Sequence, residues 1–507
     1  MEEKVLAKPE KSFNATDIAF AFAMLVCGFL FWNLIHLYML DAGVTIFSVI
    51  IFAISFVYLS KSQNKQNKKS LILLILAALS AAQFALFDNQ LIGGLNFIFL
   101  LTVFIYWICL STNRQIDNKL SVYIIGDAVK QGMGIPFLNF GCCASGVRSF
   151  SKYKKVKGIL PAIVGILIFL PLIAVVIRLL ISADLAFENF ANRIINFISI
   201  EKITNYIIQF IIGIPVAFYL YGLIYGNVKG RYTDKITVES VDKAAKIIKI
   251  APRLAIYSVL TSFNTIYLIF FAVQAAYLFS AFSGNLPEIF TYAEYARRGF
   301  FELCTVVGIN LGILIISKLT AKIETDENPK VLRVETIIIS LFTILLITTA
   351  LSKMVMYINA YGLTQLRVFT SWFMILLFLI FTVIFVRQFK IFNSVKIIIV
   401  GFVFMFMILS YGNVDGLIAK YNINRYEVGT LSTFDIDMVA GLSDAAVPYI
   451  YDMYLRTDEN DLEIRQRLAS SIMNGKSNGT NGFREFNFQK YQADEIRALI
   501  ANAVQDQ

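Results

Sequence analysis

Long runs of apolar residues recur along the chain, and short polar breaks separate them. A helix needs about 17 to 25 apolar residues to cross a hydrocarbon core of about 30 Å. Runs that approach this length predict spans at 16–38, 43–60, 70–87, 91–110, 159–182, 204–226, 254–281, 299–317, 334–352, 368–386 and 396–412. The pattern therefore predicts an all-α fold in which residues 1–412 form a polytopic transmembrane helix bundle of about eleven spans.

The polar remainder, residues 413–507, is predicted to be a separate small helical tail. Its apolar spacing predicts amphipathic helices over 435–456 and 459–474 and a final helix over 493–504. After Tyr411 the chain carries 9 basic and 14 acidic residues, a net charge of −5, whereas the rest of the chain sums to +15. The tail is acidic and the bundle is basic.

The distribution of basic residues predicts the orientation of the bundle, because lysine and arginine in short loops are retained on the cytoplasmic side. The N-terminus and alternate loops from there carry 29 basic residues, and the opposite set of loops carries 6. We therefore expect basic loops and the N-terminus in the cytoplasm. An odd number of spans then places the C-terminal tail outside the cytoplasm.

Composition excludes several classes of function. The chain is 57% hydrophobic and 16% charged, which is typical of a membrane protein. It has a single histidine, five cysteines without C-x-x-C spacing and no phosphate-binding loop, so we predict no metal site and no cofactor. The net charge of +10 is explained by topology. The expected partner is the lipid bilayer, and nucleic acid is not expected.

Few residues inside the spans suggest chemistry. No Asp or Glu lies in the middle of a predicted span, which counts against a proton-coupled antiporter. Gly222 with Gly226 and Gly308 with Gly312 have the four-residue spacing that lets helices approach closely, and we predict that both pairs pack within the bundle.

Polar side chains of mixed chemistry cluster instead in four segments of the predicted outer face, 181–188, 291–300, 361–367 and 422–426. Glu294 precedes Arg297 and Arg298 by three and four residues, a spacing at which a carboxylate can hold an arginine for an anionic group. An aromatic belt has a similar composition, so a structural role is an equal alternative. The candidate ligand-binding residues are Asp184, Tyr292, Glu294, Tyr295, Arg297, Arg298, Tyr361, Arg367 and Arg425.

The same segments resemble a bacterial membrane family known as domain of unknown function 4153, together with the related 4173. The similar stretches are ISADLAF (181–187), TYAEYARRGF (291–300), YGLTQLR (361–367), NINRY (422–426) and DIDMVAGLSDAAVPYI (435–450). The resemblance implies a protein of the bacterial cell membrane with a helix bundle and a helical tail. It implies no activity, substrate or cofactor.

Three hypotheses for function follow, and they leave open whether the protein is an enzyme. The first is binding of an anionic lipid headgroup, or of an envelope partner, at the outer membrane boundary, with Arg298, Arg367 and Arg425 supplying charge. Tyr292, Tyr295 and Tyr361 would supply amphipathic walls. The alternatives are a secondary transporter or flippase with a cavity between spans five and six, and an outer-face envelope-lipid transferase with Asp184 or Glu294 as base.

Overall fold

The computed structural model describes residues 13–35, 39–64, 66–153, 176, 179–180, 183, 200–283, 300–322, 329–431, 434–458, 461–473 and 482–505. Most of these residues are helical, and an isolated bridge joins Ala251 to Ala321. The first part of the bundle comprises α1 (Ala15–Leu34), α2 (Ala42–Lys61), α3 (Lys68–Leu86), α4 (Gln90–Ser111), α5 (Ile124–Val129), α6 (Ile135–Leu138), α7 (Cys142–Tyr153) and α8 (Ile200–Val228).

The second part of the bundle and the tail are also helical. The bundle continues with α9 (Val238–Ile248), α10 (Arg253–Ser283), α11 (Phe300–Thr320), α12 (Lys330–Tyr361), α13 (Gln365–Arg387) and α14 (Ser394–Tyr411). The tail contains α15 (Val414–Glu427), α16 (Ile436–Ala440), α17 (Val447–Arg456), α18 (Leu462–Met473) and α19 (Phe488–Gln505).

Ten of the described helices are long and apolar enough to cross a membrane, namely α1 to α4, α8 and α10 to α14. They coincide with ten predicted spans, and the all-α polytopic bundle is thereby confirmed. The other predicted span, 159–182, lies almost entirely outside the described residues. α12 is longer than predicted, because its 32 residues continue to Tyr361 instead of ending near 352. At 1.5 Å per residue it measures about 48 Å, which exceeds the hydrocarbon thickness.

The buried side chains of the bundle form two main clusters. One joins α1 to α4, α7 and α8 around Trp107, Tyr221 and Phe84, and the other joins α10 to α13 around Ile339, Met374 and Phe381. Large apolar side chains also cover the outside of these helices, as Ile72 and Ile98 do. Apolar residues on all sides are expected of helices that face both protein and lipid.

Gly222 lies where α8 crosses the short helix α6. A Cβ atom at this position would collide with the backbone carbonyl of Pro136, so only glycine permits this approach. Close packing within the bundle is confirmed for Gly222 and Gly226 and is not seen at Gly308 and Gly312, where a Cβ atom would meet no described atom within 4 Å.

The described loops between the long helices gather on two opposite faces. The tail face contains Asp41, Asp88 and Asn413, and tail residues bind all three: Lys490 Nζ lies 2.7 Å from Asp41 Oδ2, and Gln489 bonds to the Asp88 amide and to Asn413. The loops that follow α2, α4, α8 and α13 form the basic face. There Asn393 donates to the Leu120 carbonyl at 2.6 Å, and Tyr123 donates to Asp242 at 2.8 Å.

The tail departs from its predicted helices in two places. The predicted helix 435–456 is interrupted between α16 and α17, where Gly441 caps α16 and Pro448 lies in the first turn of α17. α15 was not predicted, because its apolar positions do not follow a clear helical period. The tail helices share a small core that includes Ile423, Val447 and Leu468.

Candidate functional site

Three of the nine candidate ligand-binding residues are described, and they meet at the C-terminal end of α12. Tyr361 is the last residue of this helix, Arg367 lies in the first turn of α13, and Arg425 lies in the last turn of α15. The other six candidates, Asp184, Tyr292, Glu294, Tyr295, Arg297 and Arg298, lie outside the described residues. Two of the four predicted outer segments are therefore neighbours in space.

Arg367 is held against the end of α12 from two directions. Its guanidinium carbon lies 4.0 Å from the centroid of the Tyr357 ring, and its Nη1 donates to the carbonyls of Tyr361 at 3.0 Å and Gly362. The last carbonyls of a helix have no partner inside the helix and carry partial negative charge, so a cation is stabilised there. Among the described residues, none accepts a hydrogen bond from its Nε or Nη2.

Arg425 uses its guanidinium differently. Its Nη1 donates to the Ile358 carbonyl of α12 at 3.2 Å, its Nη2 donates to the Thr430 carbonyl at 2.8 Å, and its Nε donates to Thr430 Oγ1 at 3.2 Å. All three nitrogens are engaged by groups of the protein itself. This arginine joins α15 to α12.

Asn422 fixes the loop between α12 and α13 on the tail. It is 1% exposed, accepts from the Leu363 amide at 2.7 Å and donates to the Leu363 carbonyl at 2.8 Å. Gly362 precedes this contact with φ of +75°, and a Cβ atom there would collide with the Asn422 side chain. A residue other than glycine would be strained in this backbone conformation.

A second polar cluster on the tail face was not predicted. Lys490 Nζ lies 2.9 and 2.7 Å from the two carboxylate oxygens of Asp41 and 3.7 Å from Asp88. Arg497, at the next turns of α19, pairs with Asp444 and with Asp494 at 2.8 Å. The cluster holds α19 on the bundle through charged side chains.

Burial dominates the electrostatics of the two carboxylates of this cluster, Asp41 and Asp88. It raises the pKa of the Asp88 carboxyl to about 6, although Lys490 opposes the shift. Burial also raises the pKa of Asp41. For Lys490 burial lowers the pKa, but Asp88 and Asp41 outweigh that effect, and the pKa is raised.

Asp415 is another buried carboxylate of the tail face, and its oxygens accept three hydrogen bonds. It is 2% exposed and accepts from Gln365 at 2.7 Å, from Asn89 at 3.0 Å and from the Ser443 amide at 3.2 Å. These donors belong to the starts of α13 and α4 and to the tail. Asp415 therefore ties three elements together, next to a small cleft that Asp88 and Gln489 also line.

A signal for the Lys490 cluster existed in the sequence. The two predicted loops that contain Asp41 and Asp88 carry no basic residue, so a count of basic residues does not reveal these two carboxylates. A carboxylate in a very short loop between two spans has to find its partner elsewhere in the chain. The identity of that partner could not be predicted, because Lys490 is 449 residues from Asp41 in sequence.

Asp17 is a further buried carboxylate, in the first turn of α1 near the basic face. It is fully buried, pairs with Lys229 at 2.9 Å and accepts from the Tyr58 hydroxyl at 2.8 Å. Its position at the end of the span agrees with the absence of acidic residues in mid-span. In the described part of the chain no group of three or more His, Cys, Asp or Glu residues is arranged to hold a metal ion.

These observations define a multi-pass integral membrane protein whose helical tail packs on one end of the bundle. The chain belongs to the family described as a domain of unknown function, DUF4153, whose model matches residues 71–453. The match begins in α3 and continues through the bundle into α17. No curated protein and no solved structure matches the chain. Family membership confirms the resemblance to family 4153, and a bacterial origin remains a prediction.

Proposed function

We propose that the protein binds an anionic lipid headgroup at the membrane boundary of its tail face, with Arg367 as the principal ligand. The observation that carries the proposal is the fixed geometry of Arg367. Its guanidinium stacks on Tyr357 and is held by two helix-terminal carbonyls, while Nε and Nη2 donate to no described residue. A planar guanidinium with two fixed donors suits a phosphate group.

The surroundings of Arg367 support a headgroup over a soluble anion. α13 begins at Gln365 and is one of the membrane-spanning helices, so Arg367 lies at the level where lipid headgroups begin. Tyr361 is 44% exposed beside it, and tyrosine is enriched at this level because its ring is apolar and its hydroxyl is polar. Arg425 acts as a positioning residue that holds α15 against the end of α12.

The proposal is tested with Arg367→Gln in the full-length protein. Purified protein is titrated with phosphatidylglycerol, and bound lipids are counted by native mass spectrometry. We expect roughly tenfold weaker binding, because a charge-assisted hydrogen bond contributes about 1.5–3 kcal/mol. Arg367→Lys keeps the charge and loses the planar stacking, so its affinity for phosphatidylglycerol should lie between those of the wild-type protein and Arg367→Gln.

Arg387→Gln is the matched control, since Arg387 lies in the last turn of the same helix at the basic face. It should leave phosphatidylglycerol binding at the tail face unchanged. Thermal unfolding of each variant shows whether the fold is retained. If folded Arg367→Gln bound phosphatidylglycerol as tightly as the wild-type protein does, the site would be excluded. If Arg367→Gln lost binding only to an acidic protein partner, the envelope-partner alternative would be favoured.

The transporter and transferase hypotheses rest on other parts of the chain. The predicted cavity is bounded by the span 159–182, and the proposed bases Asp184 and Glu294 lie outside the described residues. No described contact favours either hypothesis over headgroup binding.

A further inference from the structure

The stretch Phe483–Tyr491, which we call the aromatic segment, exposes large apolar side chains beside the bundle. Phe483 is 72% exposed, Phe486 38%, Phe488 46% and Tyr491 46%. The segment comprises a single turn, Phe483–Glu485, followed by the start of α19. Four aromatic side chains close together in sequence and facing water would be unfavourable, because each loses the benefit of burying its apolar area.

The aromatic segment lies at the level where three spans end. Arg484 Nη1 donates at 3.3 Å to the carbonyl of Asn33, in the last turn of α1. The amide of Ala42, the first residue of α2, donates to the Phe486 carbonyl at 3.0 Å. Asn487 donates at 3.0 Å to the carbonyl of Phe84, in the last turn of α3.

This level is the boundary between hydrocarbon and headgroups. α1 has 20 residues and measures about 30 Å, which equals the thickness of the hydrocarbon core, so its last turn lies at one surface of that core. Side chains that are exposed at this height on the outside of the bundle meet lipid. Leu86 and Leu91, at the ends of α3 and α4 on this face, are likewise exposed, by 40% and 55%.

We propose that the aromatic segment inserts into the interfacial layer of the lipid leaflet at the tail face and anchors α19 there. Its occupant is a lipid surface, since the segment is bonded to the ends of three spans and its rings are exposed. Tyrosine and phenylalanine side chains partition into this layer. The proposal does not depend on Arg367 or on which side of the membrane the tail face occupies.

Other exposed apolar residues of the tail are placed differently. Leu462 is 65% exposed on α18, and α18 packs through Leu468 and Ile472 on the other tail helices. None of the described hydrogen bonds links α18 to the end of a span. Leu462 therefore provides a comparison of equal exposure away from the boundary.

The test places an environment-sensitive nitrobenzoxadiazole fluorophore on Phe483→Cys in the full-length chain. The protein is reconstituted in nanodiscs of phosphatidylethanolamine and phosphatidylglycerol, with and without lipid that carries a nitroxide on the fifth acyl carbon. The label on Leu462→Cys is the control. Unmodified protein gives the background, because Cys27, Cys109, Cys142 and Cys143 are buried and Cys304 is partly buried.

We expect the nitroxide lipid to reduce the fluorescence at position 483 by about twofold or more and to leave position 462 nearly unchanged. Phe488→Cys repeats the measurement at the start of α19, in case the first variant fails to fold. Equal quenching at 483 and 462 would overturn the proposal. Absence of quenching at both 483 and 488 would also overturn it. This includes the case in which energy transfer between labelled copies shows that a second chain covers the aromatic segment.

Discussion

Arginine side chains that look equivalent in sequence have distinct roles at the end of α12. Arg425 gives all three guanidinium nitrogens to the protein, whereas Arg367 gives only Nη1 to described residues and rests on an aromatic ring. The sequence placed both residues at one membrane boundary, and that location depended only on hydropathy. The role of each arginine depends on the position of the helix-terminal carbonyls near it. The sequence predicts an end of α12 about nine residues before Tyr361, so the position of these carbonyls could not be predicted.

Asp88 makes the stability of the protein depend on pH. Burial raises the pKa of its carboxyl from 3.8 to about 6. Between these values the folded protein binds a proton that the unfolded chain has lost, so the free energy of unfolding decreases as pH rises. The stabilisation is complete below about pH 4 and is lost as pH passes 6.

Asp88→Asn should therefore match wild-type stability near pH 4 and exceed it near pH 7. The gain is at most about 3 kcal/mol, because each pKa unit corresponds to about 1.4 kcal/mol. Thermal unfolding in detergent between pH 4 and pH 7 measures the difference. Lys490, Asp41 and Asp444 face Asp88, and their own titration responds to its charge, so the difference between the two proteins reports on the whole coupled cluster. A destabilised Asp88→Asn at pH 7 would show that attraction to Lys490 outweighs the cost of burying the carboxylate.

At the scale of whole elements, Lys490 is the charged residue through which α19 pairs with the loops of the bundle. Lys490→Met should lower the free energy of unfolding by about 3–5 kcal/mol, because it leaves the Asp41 carboxylate buried without its counter-ion. The Asp41 side chain is 4% exposed and the Lys490 side chain 22% exposed. Hydrogen exchange of the α19 amides should accelerate before that of the span helices.

Arg467→Met serves as the control for Lys490→Met. Arg467 lies 3.2 Å from Asp437, but the side chains are 50% and 85% exposed. An exposed ion pair contributes about 0–1 kcal/mol, so α19 should exchange at the wild-type rate in this variant. If the two variants behaved alike, docking of α19 would depend on its apolar contacts instead of on Lys490.

The elements that could be predicted from the sequence are those that the bilayer constrains. A span must be apolar for its whole length, and this requirement located ten helices to within a few residues, except at the ends of α8 and α12. α15 carries no such signal: its sequence VDGLIAKYNINRYE alternates apolar and polar residues without one apolar face. It is helical because Ile418 packs beside Ile92 and Leu409 of the bundle, which is a tertiary contact.

At the scale of the whole molecule, the alternation of loops organises the chemistry. Every described loop from the set with few basic residues lies on the tail face and contacts tail residues, as Asp41, Asp88 and Leu363 do. The pairings that hold the tail on this face join residues far apart in sequence, and the short-range contacts of Arg367 depend on where α12 ends. The location of the candidate site could therefore be predicted, and its internal contacts could not. The family domain, residues 71–453, likewise includes both bundle and tail. Bundle and tail are therefore joined by contacts across the predicted boundary at 412.

The orientation of the two faces is the remaining prediction at this scale. The N-terminus and alternate loops from there carry 29 basic residues and the opposite set of loops carries 6, which predicts that the basic face is cytoplasmic and the tail face is not. Lys243→Cys on α9 and Glu463→Cys on α18 are exposed positions on the two faces. In intact bacterial cells that produce the full chain, a membrane-impermeant maleimide should label Cys at 463 and should label Cys at 243 only after the membrane is opened. The unmodified protein gives the background from its own cysteines. If only position 243 were labelled in intact cells, the predicted orientation would be wrong. The Arg367 site would then lie at the cytoplasmic leaflet, with the same geometry.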